Sequence, residues 1–353
     1  MKFLKVAFFL IFVSVTIPIY SQTERVGSDT VLLDEFYIED ILVTANKSVE
    51  RVQEIPVSIS TLSGYQKENK GIEDLTDLTN ITPGFHMPDY GSSLTSPIYI
   101  RGIGTRINEP TVGLYVDDIP YFDKATFNFN LYDISRIEIL KGPQGTLYGR
   151  NSLGGLIKMY TEDPKNYANT EISLGYGNFD KRNIFLKQHL PLVKNKIQMS
   201  LSGNYSYENG YYENVFHDQM IGGENNFAGR MKLDYTLSKS ADMHFIIDAS
   251  KNRNNGYPYS MTDNGHSLQD ISYNHESKYL RDLATTGLVF NKRWENIRLK
   301  SISAFQMVND IQDIDQDFTS MKLFNVLQNR ENRFYTQEIN LFSNNQSRVN
   351  YVG

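Results

Sequence analysis

The 353 residues contain no cysteine. That removes disulfide frameworks and thiolate metal sites at once. Long apolar runs are also scarce: one lies near the N-terminus, and beyond it none approaches the roughly 20 residues that a membrane-spanning helix needs. Mean hydropathy is negative. Basic excess is missing as well, since the net charge of -6 argues against a nucleic-acid partner. The six histidines (His86, His189, His217, His244, His266 and His275) are scattered and make no haem or metal pattern. Asp117 and Asp118 have no His or third carboxylate beside them in sequence, and the acidic stretch from Asp310 to Asp317 lacks the glycine turn and terminal Glu of a calcium loop. No nucleophile, base and orienting group stand together, so the expectation is a non-enzyme with no catalytic residue, no metal and no cofactor.

The single apolar run follows Lys2 and Lys5 and extends from Val6 to Ile19, broken by Ser14, Thr16 and Pro18. It is too short to span, and with Tyr20-Ser21 after it reads as a cleavable secretory signal (residues 1–21) cut before Gln22. Residues 22–49 are polar and acidic, as a flexible tether would be. Two extended-looking apolar patches interrupt them, Thr30 to Leu33 and Ile41 to Thr44.

Residues 50–165 form the stretch around which the chain is organised. Ile55 to Ile59 is strand-like, and Ile72, Leu75, Leu78 and Ile81 repeat every three residues, which predicts a short helix over Gly71 to Ile81 ending near Pro83-Gly84. Short β-like runs then follow at Val112 to Val116, Ile134 to Leu140 and Leu156 to Tyr160, predicting a small mixed sheet. Gly142, Pro143, Gly145, Gly149, Gly154 and Gly155 crowd between the last two runs. Such a connector suits positive φ or close backbone approach. Arg101, Asp117, Asp118, Arg136, Glu138 and Arg150 are charges set among apolar or glycine-rich neighbours, and are expected to meet partners of opposite sign.

From about Asn169 the texture changes to period-two alternation. Ile172, Leu174 and Tyr176 are followed by Ile197, Met199 and Leu201, then by Phe227, Met231, Leu233 and Tyr235, and so on to Ile339 and Leu341, with mostly Ser, Asn, Lys, Gln, Asp or Gly between. That is one apolar and one polar face, strand after strand. The connectors alternate too. After a tight turn near Asn178 to Arg182, short ones lie near Pro191 to Lys196, Ser238 to Ser240, Arg293 to Asn296 and Asn344 to Ser347. Long ones, rich in Asn, Asp, Tyr and Gly, lie near Asn209 to Asn225, Lys251 to Asp282 and Asp310 to Asn329.

The string from Asp133 to Asn151, DISRIEILKGPQGTLYGRN, with Ile100-Arg-Gly-Ile103 and Val112 to Pro120 before it, resembles the plug domain of TonB-dependent outer-membrane receptors, the Gly-Pro-Gln-Gly-Thr-Leu-Tyr-Gly variant being similar to iron-siderophore receptors. The resemblance implies a membrane protein, and the lack of spanning helices is compatible with that only for a β-barrel. The 23 Tyr and 20 Phe suit the aromatic girdles of such a barrel. The expected fold is therefore mixed: a small α/β plug, then an antiparallel transmembrane β-barrel (residues 166–353). About nine strands are countable, against about 22 in plugged transporters, so the chain is expected to hold only the first part of the barrel.

In such a receptor the implied function is import of a scarce ligand, here an iron-siderophore complex, across the outer membrane, energised through a periplasmic TonB partner. A passive porin-like or structural barrel, or another cargo (haem, cobalamin or glycan), is the alternative. Asp40, Ile41, Leu42, Val43, Thr44 and Ala45 resemble the TonB box, a segment offered as an added strand whose affinity comes from main-chain pairing; Asp29 to Leu33 is a second candidate. Arg101, Asp117, Asp118, Arg136, Glu138 and Arg150 become candidate contacts between plug and barrel. His86, Asp89, Tyr90, Tyr121 and Asp123 lie in loops that the resemblance places in the ligand vestibule.

Overall fold

The computed structural model describes residues 42–44, 47, 50–91, 96–106, 109–128, 131–263 and 267–343. The signal, the second candidate box, Asp40, Ile41, Ala45, the turn at Asn344 to Ser347 and the strand start expected at Val349 to Gly353 fall outside them. No described helix is long and apolar enough to cross a membrane.

The plug is built on a five-stranded mixed sheet. Its strands are β1 (Ser58–Ser63), β2 (Val112–Val116), β3 (Ile119–Tyr121), β4 (Ile134–Lys141) and β5 (Gly155–Thr161), in the order β1-β4-β5-β2-β3. β5 runs parallel to β2 with Gly155 opposite Val112, and antiparallel to β4. All three apolar runs of the sequence are strands here, and β2 is buried along its whole length. The glycine connector is folded: Gly142 and Gly149 take positive φ, Gly145–Tyr148 makes one helical turn, and Gly155, at φ 147°, starts β5. A Cβ on Gly155 would stand 2.2 Å from the Leu140 carbonyl oxygen, so only glycine lets β5 approach β4 there.

The helix lies earlier than the apolar spacing predicts. It is α1 (Gly64–Asn69), opened by a capping box in which Ser63 Oγ accepts from the Gln66 amide and the Gln66 side chain accepts from the Ser63 amide. It buries no residue, which is why apolar periodicity misses it. The expected helix over Gly71 to Ile81 is instead a run of turns with a 3₁₀ turn at Asp77–Asn80. A repeat of three matches the three residues per turn of that geometry, not the 3.6 of an α-helix. Asp74 and Asp77 also draw off amides that an α-helix would use: Asp74 accepts from Thr76 and Asp77, and Asp77 from Glu73. Ile72, Leu75 and Leu78 are still buried, in the core shared with β2 and β4.

The second part is a wall of eight antiparallel strands, each paired with its neighbour in sequence: β6 (Asn169–Tyr176), β7 (Arg182–Val193), β8 (Ile197–Glu208), β9 (Gly223–Ser238), β10 (Ala241–Asn255), β11 (Lys278–Arg293), β12 (Ile297–Asp315) and β13 (Asn325–Ser343). The short turns fall where expected, at residues 194–196, 239–240 and 294–296. The long connections are shorter than their composition suggests, because β10 continues to Asn255, β12 to Asp315, and β13 begins at Asn325. Ladder hydrogen bonds need no apolar contrast, so pairing continues where Asn, Asp and Arg occupy both faces.

The wall is inverted relative to a soluble sheet. Leu174 is 74% exposed and Ile339 62%, whereas Lys187, Arg230, Lys232, Asp248 and Arg281 are buried. Apolar residues therefore face outward, as lipid requires, and polar ones face the lumen, where the plug sits. Part of the lumen face is apolar after all: Ile246, Leu283, Val289, Ile302 and Val308 join one core with plug residues such as Leu114 and Ile119.

Candidate functional site

The plug meets the wall along a charged seam. Asp117 and Asp118 are the two turn residues of the β2–β3 hairpin, at φ 48° and 66°, a left-handed pair that matches the twist of adjoining strands and that Asp tolerates better than most residues. Asp133, just before β4, is also left-handed at φ 58°. These turns project carboxylates past the sheet toward lumen-facing cations. Asp117 accepts from the Thr161 amide at 2.9 Å and lies 3.6 Å from Lys232 of β9. Asp118 lies 3.4 Å from Lys158 of β5 and pairs closely with Lys300 of β12. Asp133, 1% exposed at its side chain, pairs closely with Lys187 of β7, accepts from Ser202 at 2.9 Å and lies 3.9 Å from Arg230 of β9. Arg230 in turn pairs with Asp248 of β10 at 2.8 Å. Beyond the sheet, Glu162 meets Lys187 at 2.6 Å and Asp163 meets Lys232 at 2.8 Å. The plug side of these pairs is acidic and the wall side mainly basic, a complementarity that fixes register.

Asp118 shows how this tunes ionisation. Burial alone would raise its carboxyl, but the ammonium groups of Lys158 and Lys300 outweigh that and hold it well below the usual carboxylate range. A depressed folded value gives stability that is present above the unfolded value of about 4 and lost as pH falls toward the folded one. The link from Asp118 to Lys300 should thus be constant from neutral pH down to about 4 and weaken below that. Unfolding midpoints between pH 6 and pH 2.5 for the parent and for Asp118→Asn check this. The parent curve should fall more steeply below pH 4 than the variant's, and parallel curves would remove Asp118 from the account.

A second set of bonds ties the segment before the plug onto its sheet. Leu42–Val43 pairs antiparallel with Glu50–Arg51, and Val43 is fully buried among Ile55, Tyr115, Leu140, Tyr148 and Leu156. The Thr44 amide donates to Glu138 at 3.2 Å, and its carbonyl accepts from Lys158 and from the Tyr148 hydroxyl, each at 3.1 Å. Lys47 then crosses to the wall, 2.7 Å from Glu338 of β13. Lys158 therefore touches both this segment and Asp118.

The remaining sequence-predicted residues are dispersed. Arg136 pairs at 2.8 Å with the fully buried Glu138, two residues along the same strand, and lies over the Tyr160 ring; β4 is flanked by β1 and β5, so neither charge reaches the wall. Arg150 pairs with Glu109 at 2.8 Å on the plug surface, and Arg101 is exposed with no ion-pair partner among the described residues. Of the vestibule residues, His86 is exposed and stacks on Tyr99, Asp89 caps the Gly91 amide, and Tyr90 is 41% exposed beneath Arg106. Tyr121 and Asp123 are not open to a ligand. Tyr121 is 2% exposed in the plug core, where burial pushes its hydroxyl well above the ordinary range. Asp123 is 7% exposed, caps Ala125 and faces Asn332 and Arg330 of β13. Sequence reasoning missed Asp133, Lys187, Arg230, Lys232 and Lys300. The four cations had one signal, a basic residue at a polar position of an alternating strand; Asp133 had none. Among the described residues, no group of three or more His, Asp or Glu could hold a metal ion.

A plug held in the lumen of a wall that is apolar outside defines a plugged outer-membrane barrel. Residues 51–156 match the family described as TonB-dependent Receptor Plug Domain, and a plug followed by part of a barrel is the arrangement found in TonB-dependent receptors. It is 34% identical over 127 residues to the pesticin receptor of Yersinia pestis, covering 35% of this chain and 19% of that protein. It is 26% identical over 203 residues to the ferrioxamine B receptor of Salmonella typhimurium, covering 56% of this chain and 28% of that protein. The fold superposes on the ferric yersiniabactin uptake receptor FyuA of Yersinia pestis with a TM-score of 0.75 at 23% identity, covering 84% of this chain and 47% of that one. The match to Pseudomonas aeruginosa FpvA has a TM-score of 0.72 at 17% identity, covering 86% and 42%. The chain thus spans less than half the length of the structures it matches.

Proposed function

We propose that the full-length gene product is an energy-coupled importer that admits a ferric siderophore through the outer membrane, with a periplasmic TonB-type partner supplying the work. The observation that carries this reading is the closed seam. Buried ion pairs and a shared apolar core hold the plug against the wall, which supports a reading in which the plug must be displaced before a cargo passes. Losing one partner of a buried pair costs about 3 to 5 kcal/mol, and several such pairs in parallel call for external work. A passive porin would gain nothing from this seam. The cargo class is supported by the ferrioxamine B receptor among the relatives. A vitamin B12 transporter of Vibrio vulnificus, 27% identical over 150 residues, is among them too, so cargo is what an experiment must decide.

Cells expressing the full-length gene product in a receptor-deficient host should accumulate iron from at least one of a hydroxamate, a catecholate and a thiazoline siderophore, and deletion of the TonB-type partner should abolish this. Accumulation of labelled cobalamin or haem instead would change the cargo. Uptake that persists without the partner would overturn the energy-coupled reading.

A further inference from the structure

Beneath the connection from β8 to β9 lies a pocket of about 370 Å³ whose lining belongs to the wall and its long connections, with no plug residue in it. Long connections stand at the outer end of such barrels. Register decides which way the pocket opens. Tyr207 stands opposite Asn225, Asn225 opposite Arg253, and Arg253 opposite Leu280, and all four line it. Two residues along each strand toward the apolar band come Tyr205, Phe227, Lys251 and Asp282, and Phe227 is 53% exposed. Side chains two apart share a face. The floor of the pocket is therefore on the outward side of the wall, about 7 Å above that row, beside the barrel and not in its lumen.

The roof is fixed before any ligand arrives. Tyr212–Asn214 pairs antiparallel with Gln219–Ile221, and the Asn214 side chain donates to the Tyr273 carbonyl at 2.9 Å. The His217 ring bonds the Asn274 carbonyl at 3.0 Å, and the Gly223 amide donates to Asn255 Oδ1 at 2.6 Å. A site held open in this way has little ordering left to lose on binding.

The groups left free define the ligand. Glu208, Gln219, Asn225, Glu276 and Lys278 line the pocket with no side-chain hydrogen bond or ion pair among the described residues. Arg253 is already engaged, donating to the carbonyls of Asn252 and Arg281 and pairing with Asp282, and Glu224 is held by Asn226 and Asn254. One free cation thus stands against two free carboxylates, a balance that disfavours phosphate or any other anion. Two amides, two carboxylates and an ammonium suit hydroxyl groups, each of which both donates and accepts. Tyr207, Ile221 and Leu280 add apolar surface for the C–H face of a sugar ring. The volume lies near the lower end of the range of about 300 to 1,000 Å³ for small-molecule sites, room for a mono- or disaccharide.

We propose that this outward pocket binds a neutral saccharide unit, presented by a glycolipid of the outer leaflet or by a glycan outside the cell. It lies apart from the plug, so the proposal does not depend on the import reading above. The test applies the full-length gene product in detergent to an array of neutral, sialylated and phosphorylated glycans, with heat-modifiable mobility and outer-membrane abundance as folding controls. The parent should retain neutral glycans. Titration with the best of them should weaken at least tenfold in Gln219→Ala/Asn225→Ala and about threefold in Glu276→Gln, whereas Arg150→Ala, on the plug surface, should bind as the parent does. Glu208→Gln/Glu276→Gln should admit sialylated or phosphorylated glycans that the parent refuses. A parent that binds no glycan or prefers phosphorylated ones, or folded pocket variants that bind like the parent, would overturn the proposal.

Native mass spectrometry of protein from cells with complete and with core-truncated lipopolysaccharide separates the two sources. A co-purifying glycolipid lost both in the truncated strain and in Gln219→Ala/Asn225→Ala identifies the leaflet. Neutral glycans bound on the array without a co-purifying glycolipid identify an external source. Glycolipid retained in full by that variant, with no glycan bound on the array, would place the lipid elsewhere on the wall and overturn the pocket.

Discussion

Arg230→Met is expected to lower the stability of the plugged wall by about 3 to 5 kcal/mol, the cost of leaving a buried ion unpaired. Arg230 lies between Asp248 of the neighbouring strand, at 2.8 Å, and Asp133 of the plug, at 3.9 Å. With methionine there, Asp248 keeps its burial and loses its cation, while Asp133 keeps Lys187 and Ser202. The double variant Arg230→Met/Asp248→Leu removes both charges and should recover most of the loss, since an apolar pair of similar volume is often as stable as the ion pair it replaces. Exposed pairs give the contrast: Arg150→Ala, opposite Glu109, should cost under about 1 kcal/mol. Denaturant unfolding of the full-length gene product in detergent measures all three, and entry of a large antibiotic into expressing cells reports whether the plug still seals. If Arg230→Met unfolds like Arg150→Ala, the seam is held by its apolar contacts, and its charges matter for alignment alone.

Leu42→Pro is expected to abolish uptake while leaving surface abundance and cargo binding within about twofold of the parent. The reason is the mode of recognition proposed for residues 40–45. An added strand is held by main-chain hydrogen bonds, and proline removes a donor and fixes φ, whereas Leu42→Ala keeps both and should be mild. In the resting structure the same segment is engaged elsewhere, since Leu42–Val43 pairs with Glu50–Arg51 and Val43 is buried in the plug. A transducer that takes this segment as an added strand would have to exchange these contacts for its own. Val43→Ala is the companion measurement, because it removes buried apolar volume without touching the main chain. It should lower plug stability by about 1 to 2 kcal/mol and leave uptake largely intact. Equal losses of abundance, binding and uptake in Leu42→Pro would mean that the segment serves only as a plug strand. Undiminished uptake would move the box to Thr30 to Leu33.

Much of the fold was legible before any coordinates. Alternation at Ile172-Leu174-Tyr176 and onward to Ile339-Leu341 gives two-faced strands, because side chains on a strand repeat every two residues whatever lies beyond them. Short and long connectors give the meander for the same local reason. The glycines at 142, 149 and 155 point to backbone that only glycine adopts readily, and the structure uses all three at positive φ. The misplaced helix belongs here too: a spacing of three at Ile72, Leu75, Leu78 and Ile81 was in plain view, but it encoded a 3₁₀ turn, and the capping box at Ser63 and Gln66 was the better local signal.

The partners of the charges were not legible. Asp118 meets Lys300, Asp133 meets Lys187, and Lys47 meets Glu338, each pair far apart in sequence and on different elements. Period two assigns Lys187 and Arg230 to the polar face of a strand, but on a soluble sheet that face is solvated, and nothing local says that a plug covers it. Tyr121 and Asp123 fail as vestibule residues for the matching reason: a loop-like sequence places a side chain near a turn, while its burial depends on the wall that closes over it. The sequence by itself determined the faces, the turns and the glycine-dependent backbone, all set by interactions within a few residues. Only the tertiary structure decided which charges are desolvated and which cation each carboxylate meets, because desolvation belongs to the space between two elements and not to either one.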